Sequence, residues 1–98
     1  MAAFTDAQIE ESLDSLPGWS QEGEALVKSF EFADFTAAID FLVRAAGPID
    51  EMDHHPEWTN VYNRVDIRLS SHDVGGVTDR DVQLARVLER AHEINTAL

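Results

Sequence analysis

Two apolar periods alternate along this chain, and that alternation constrains its fold more than any other feature. The strongest helical stripe follows Asp34, a suitable N-cap. Phe35, Ala38, Ile39, Leu42, Val43 and Ala46 recur at i, i+3, i+4, i+7, i+8 and i+11, the spacing of one helix face. On either side the period falls to two. Leu26, Phe30 and Phe32 share one side of Ala25–Phe32, with Lys28 breaking the alternation, and the aromatic and β-branched content favours a strand. Val65, Ile67 and Leu69 alternate with Asp66, Arg68 and Ser70, as in a half-buried strand. Each strand has a neighbour to pair with. Trp19–Gln21 precedes a turn at Glu22-Gly23-Glu24, and Glu57–Val61 precedes a turn at Tyr62-Asn63-Arg64.

Helices close both ends. Thr5 and Gln8 form a capping box, with Phe4 and Ile9 at the hydrophobic-staple positions. Ile9, Leu13 and Leu16 share a face that ends at Pro17-Gly18. Thr78 caps the last helix, whose inner face is Leu84, Val87, Leu88, Ala91 and Leu98. Gly47-Pro48 predicts a kink or a fresh turn in the central helix, because proline removes a backbone hydrogen bond. The order is α-β-β-α-β-β-α. Two hairpins are not stable alone, but four strands covered by two amphipathic helices are. The expectation is an α+β fold: a four-stranded antiparallel sheet with two main helices on one face, plus a short N-terminal helix. With no repeat or linker, residues 1–98 read as one domain. Phe41 and Ala45 fall outside the main stripe and predict a helix–helix interface between copies.

Composition excludes several roles. There is no cysteine, so neither a disulfide framework nor a thiolate metal site is available. No apolar run is long enough to span a membrane or form a signal-peptide core, which makes the cytoplasm the default location. A net charge of −12 argues against direct nucleic-acid binding. The charge is uneven. Residues 1–24 hold six acids and no Lys or Arg, which reads as a solvated surface. A second acidic block, residues 50–74, contains three of the four histidines: His54, His55 and His72.

The antiparallel pairing of the last two strands brings residues 54–55 and 72 to one end of the sheet. Asp50, Asp53 and Asp73 come with them, placed to orient and tune the imidazoles. Imidazoles both give and take protons near neutrality, which suits a dehydration. Two other readings stand beside this one. The histidines could be structural, satisfied by local hydrogen bonds. Three imidazoles and a carboxylate could also hold zinc. Against zinc, the adjacent His54 and His55 project in different directions, and there is no helical H-x-x-x-H pair. His92 reads as an ordinary helix residue. Trp58 and Tyr62 could each stack on a flat heterocycle, although Tyr62 reads rather as packing. Gly75-Gly76 lacks the spacing of a phosphate loop.

The segment Asp50-x-x-x-His54-His55-Pro56-Glu57-Trp58-x-Asn60-Val61-Tyr62-Asn63-x-Val65 resembles the core of the pterin-4a-carbinolamine dehydratases. The resemblance continues through Leu69-Ser70-Ser71-His72-Asp73-x-Gly75-Gly76-Val77-Thr78-x-x-Asp81-x-x-Leu84-Ala85. Upstream, Trp19 and Phe30-x-Phe32-x-Asp34-Phe35-x-x-Ala38 also fit, so it covers nearly the whole chain. It implies loss of water from a 4a-hydroxytetrahydropterin to give quinonoid dihydropterin, in tetrahydrobiopterin recycling. No metal or other cofactor is implied; the pterin is the substrate. His54, His55 and His72 are the implied catalytic imidazoles. Asp53, His54, His55 and Ser70, Ser71, His72 and Asp73 are the implied substrate contacts, with Asp50, Trp58 and Asp81 in support. Family members are commonly homodimers or homotetramers. Some also act as coactivators of a homeodomain transcription factor, so a non-catalytic scaffold of the same fold is the competing expectation.

Overall fold

The computed structural model describes residues 2–96. Its elements are α1 (Asp6–Leu13), β1 (Ser20–Glu22), β2 (Ala25–Glu31), α2 (Phe35–Met52), β3 (Glu57–Val61), β4 (Arg64–Leu69) and α3 (Asp79–Thr96). The element order is the one read from periodicity. The four strands form one antiparallel sheet in the order β1-β2-β4-β3. The central pair, β2 and β4, comes from different hairpins, and its register places Leu26, Lys28 and Phe30 opposite Leu69, Ile67 and Val65. These residues face the helices. Opposite residues in an antiparallel pair share a face, so Val27, Ser29, Asp66 and Arg68 line the other, open face.

Local chemistry fixes the ends of the elements. The Thr5 hydroxyl accepts from the Gln8 amide at 3.2 Å, and the Gln8 side chain accepts from the Thr5 amide at 2.8 Å, completing the capping box. Asp34 accepts from the Ala37 amide at 2.8 Å and starts α2. The second hairpin turns on two residues, Tyr62 and Asn63, rather than three, and Arg64 already pairs with Val61. Tyr62 carries the positive φ (50°) that such a tight turn demands. The Asn60 side chain donates to the carbonyls of Tyr62 and Arg64, and Asn63 exchanges hydrogen bonds with Phe32, just after β2. Tyr62 is therefore an exposed turn residue, not a packing residue.

The core lies between the sheet and the helix pair. Phe30, Phe32 and Phe41 form an aromatic cluster, with centroids 5.1 Å apart in both pairs that include Phe41. His92 joins it 5.0 Å from Phe30, so its ring is a packing element of α3. Truncating a buried ring such as Phe41 to Ala should cost about 3–5 kcal/mol.

Two expectations for α2 are corrected. The helix does not restart at Gly47-Pro48; it continues to Met52. Both residues are exposed, so solvent can replace the lost amide hydrogen bond, and buried Ile49 anchors the next turn in the core. The core-facing residues are Ala38, Phe41, Ala45 and Ile49. Phe41 and Ala45 are thus interior residues rather than an interface between copies. Phe35 and Val43, read as part of the inner stripe, are 50% and 69% exposed. On α3, Leu84, Leu88 and Ala91 are buried as expected, while Leu98 lies outside the described residues.

Candidate active site

The short link between α2 and β3, the end of β4 and the start of α3 meet at one end of the sheet. Glu57 opposes Arg68 across the β3–β4 pair, which brings the residues just before β3 beside those just after β4. His54, His55, Glu57, Arg68, Ser70, His72 and Asp73 line a cavity of about 220 Å³ there. The three imidazoles share this cavity, as the antiparallel pairing predicted. A larger hollow of about 690 Å³ lies on the open sheet face, lined in part by Ser20, Ser29, Thr59 and Asp66. It shares Glu57 and Arg68 with the histidine cavity. The smaller space carries the proton-transfer groups and is the better candidate for chemistry.

Each imidazole faces one carboxylate, and the three carboxylates come from three different elements. His54 Nε2 lies 2.6 Å from Oδ1 of Asp81, on the first turn of α3. Asp81 is fully buried, and its other oxygen accepts from the Ser71 hydroxyl at 2.9 Å and the Thr78 amide at 2.9 Å. A carboxylate receiving these donors acts as an acceptor, which favours a proton on His54 Nε2 and leaves Nδ1 for other partners. Thr78 adds a 2.8 Å hydroxyl contact to Ser71 and accepts from the Arg80 amide. The hydrogen bonds that begin α3 therefore also position a histidine. His55 Nε2 lies 2.9 Å from Asp50 Oδ1, in the last turn of α2. His72 Nε2 lies 3.3 Å from Oε1 of Glu57, the first residue of β3. Among the described residues, no group of three His, Asp or Glu side chains is arranged to hold a metal ion.

Several expected roles move. Asp53 is the left-handed C-cap of α2 (φ 51°) and does not line the cavity; Asp tolerates that conformation better than most residues. Ser71 is fully buried and committed to Asp81 and Thr78, so it supports the site instead of touching a ligand. Asp73 lines the cavity but faces Arg80 at 2.7 Å, not an imidazole. The Arg80 hydrogen bond holds the Asp73 carboxyl below its usual range. Trp58 lines the sheet-face hollow and not the histidine cavity. Ser70 lines the histidine cavity and donates to the Glu24 carbonyl at 2.8 Å. Glu57 and Arg68 were not anticipated. Their signal was the hairpin register, which a three-residue turn obscured and a two-residue turn reveals.

A family profile described as "Pterin 4 alpha carbinolamine dehydratase" matches residues 2–91. A relative from Opitutus terrae, assigned by name to pterin-4-alpha-carbinolamine dehydratase, is 49% identical over 88 residues, covering 89% of this chain and 91% of its own. A Burkholderia vietnamiensis relative of the same assignment is 44% identical over 98 residues, covering 96% of both chains. Among solved structures, the transcriptional coactivator/pterin dehydratase from Brucella melitensis superposes with a TM-score of 0.88 at 41% identity. That match covers 91% of this chain and 97% of the other. A pterin dehydratase-like RuBisCO assembly factor of the alpha-carboxysome shares the fold, with a TM-score of 0.62 at 19% identity over 74% of this chain and 84% of its own. With the profile spanning most of its length and relatives this similar, the chain belongs to the pterin-4-alpha-carbinolamine dehydratase family.

Proposed function

We propose that this protein removes water from a 4a-hydroxytetrahydropterin, giving quinonoid dihydropterin for tetrahydrobiopterin recycling. The observation that carries the reading is the shared cavity, in which three imidazoles each face a carboxylate. Dehydration needs a proton delivered to the departing 4a-hydroxyl and another removed from the ring N–H. As the C4a–oxygen bond breaks, the electrons of that N–H bond form the new ring double bond, and the hydroxyl leaves as water. One of His54 and His72 protonates the hydroxyl, another imidazole takes the ring proton, and His55 binds and places the pterin. The catalytic groups are then the chain's own side chains, with no metal or other cofactor. The family assignment and its histidine motifs support this reading.

The reading extends to assembly and location. The exposed apolar residues of α2, Phe35 and Val43, flank half-buried Ile39 and Leu42. We infer that this stripe is covered in a homodimer or homotetramer. The same reading places the protein in the cytoplasm; no helix among the described residues is long and apolar enough to cross a membrane.

The test is spectroscopic assay of water loss from a 4a-hydroxytetrahydropterin, with sizing of the same sample. His54→Ala should lower turnover by about 10²-fold or more. Full activity in that variant overturns the assignment. An inert wild-type protein that captures a protein partner favours the scaffold alternative.

A further inference from the structure

Resting on the dehydratase reading, we propose that Glu57 is the positioning residue of His72: it fixes the ring's orientation and which nitrogen carries the proton. The residue pair is built from unequal parts. Glu57 opens β3 directly after Pro56 and opposes Arg68 in the sheet, so its backbone is held by a regular ladder. His72 stands in the loop after β4, with its side chain 74% exposed. An exposed ring on a loop samples several orientations unless a fixed group holds it. Glu57 Oε1, 3.3 Å from His72 Nε2, is that group.

Its placement relative to the cavity strengthens the assignment. Glu57 and His72 line the histidine cavity together, and again an adjoining cavity of about 330 Å³ with Glu24, Arg68, Ser70 and Gly75. The carboxylate is therefore within the site. Arg68, its cross-strand neighbour, directs Nη1 toward Glu22 at 3.5 Å, so the His72 contact does not compete with a close Glu57–Arg68 pair. At this ion-pair distance the carboxylate favours a proton on Nε2, which leaves Nδ1 as the nitrogen that exchanges a proton with substrate. His54 is arranged the same way by Asp81, so both imidazoles would present Nδ1 to the pterin.

The experiment combines kinetics with a direct view of the ring. Glu57 is exposed, and Glu57→Gln keeps its shape, so the variant should fold. Its kcat should fall about ten-fold, the lower end of what a group orienting a functional imidazole contributes. KM should stay within about two-fold, because substrate binding is not what is lost. Glu57→Asp should recover part of the loss. In a His72→Ala background, Glu57→Gln should have no further effect, because the group it positions is gone. Nitrogen-15 NMR of labelled histidine should show His72 predominantly Nε2-protonated in the wild type and mixed between tautomers in Glu57→Gln. Full kcat in Glu57→Gln, an equal further loss in the His72→Ala background, or an unchanged His72 tautomer each overturn the proposal. An inactive wild type overturns the dehydratase reading itself, and the NMR comparison then decides the Glu57–His72 pairing alone.

Discussion

His54 and His72 face the same cavity from opposite structural conditions. The His54 side chain is 10% exposed and held by a fully buried carboxylate that also ties Ser71 to the amide end of α3. The His72 side chain is 74% exposed and meets an exposed Glu57 at the sheet edge. One imidazole is part of the folded core, so its geometry is set when the chain folds. The other depends on a loop pinned at a few points. A site of this kind combines a preorganised group with an accessible one, and the two should respond differently to mutation.

The largest effect should come from Asp81, where site and fold meet. Asp81→Ala would leave the Ser71 hydroxyl, the Thr78 amide and the His54 ring without their common acceptor in a buried place. The cost should be about 3–5 kcal/mol, because each buried donor left without an acceptor costs about 1–3 kcal/mol. Asp81→Asn preserves the volume but cannot accept from every donor, and it frees the His54 tautomer. Its kcat should drop about 10²-fold or more, with a smaller loss of stability. Urea unfolding and steady-state kinetics on both variants separate the two roles. If Asp81→Asn kept full kcat, the buried hydrogen bond would not be what prepares His54, and the contrast with His72 would collapse.

Gly76 tests the other side. Ser71 and Gly76 form an isolated bridge that closes the loop carrying His72. The Phe4 amide donates to the Val77 carbonyl at 2.7 Å, laying the N-terminal segment across that loop. A Cβ on Gly76 would stand 2.8 Å from the Ala3 Cβ, closer than packed methyl groups come. Gly76→Ala should therefore push the N-terminal segment away and destabilise the protein by about 1–3 kcal/mol. Amide exchange should speed up at residues 71–77, with a several-fold fall in kcat. Exchange within α3 near Asp81 should change less. Equal acceleration in both places would show that the loop and the buried network open as one unit.

The same contrast explains what was legible in the sequence. Period-two and helical patterns gave the element order because each depends on local spacing. The convergence of His54, His55 and His72 followed from antiparallel pairing alone. The partners of the imidazoles did not. Nearness in sequence points to Asp50, Asp53 and Asp73, yet of these only Asp50 faces an imidazole. His54 is held by a residue 27 positions away, on α3. The resemblance implies Asp81 as a support, but spacing does not. The inner face of α2 failed for a related reason. The helix carries two apolar stripes, and which one enters the core depends on how α3 and the sheet receive it. Phe41, seated against Phe30 and Phe32, decides that.

The smallest effect belongs to the outer pin of the His72 loop. Asp73 follows His72 directly, and its carboxylate meets the Arg80 guanidinium at 2.7 Å. That hydrogen bond, with the charge attraction behind it, lowers the Asp73 pKa, while desolvation opposes the shift. A carboxyl whose pKa is lowered by folding stabilises the folded state when ionised. The contribution is fully present above the unfolded value, about 3.9, and is lost as pH falls through the lower folded value. Urea unfolding of wild type and Asp73→Asn across a pH series should show a small wild-type advantage near neutrality. The advantage should shrink below about pH 4 and weaken with added salt, because the pair is exposed. Asp73→Asn should leave the His54–Asp81 contact in place and shift kcat only slightly, since Glu57 and the Ser71–Gly76 bridge still hold the loop. A large kcat loss would instead mean that the carboxylate itself meets the substrate, moving the accessible half of the site from His72 toward Asp73.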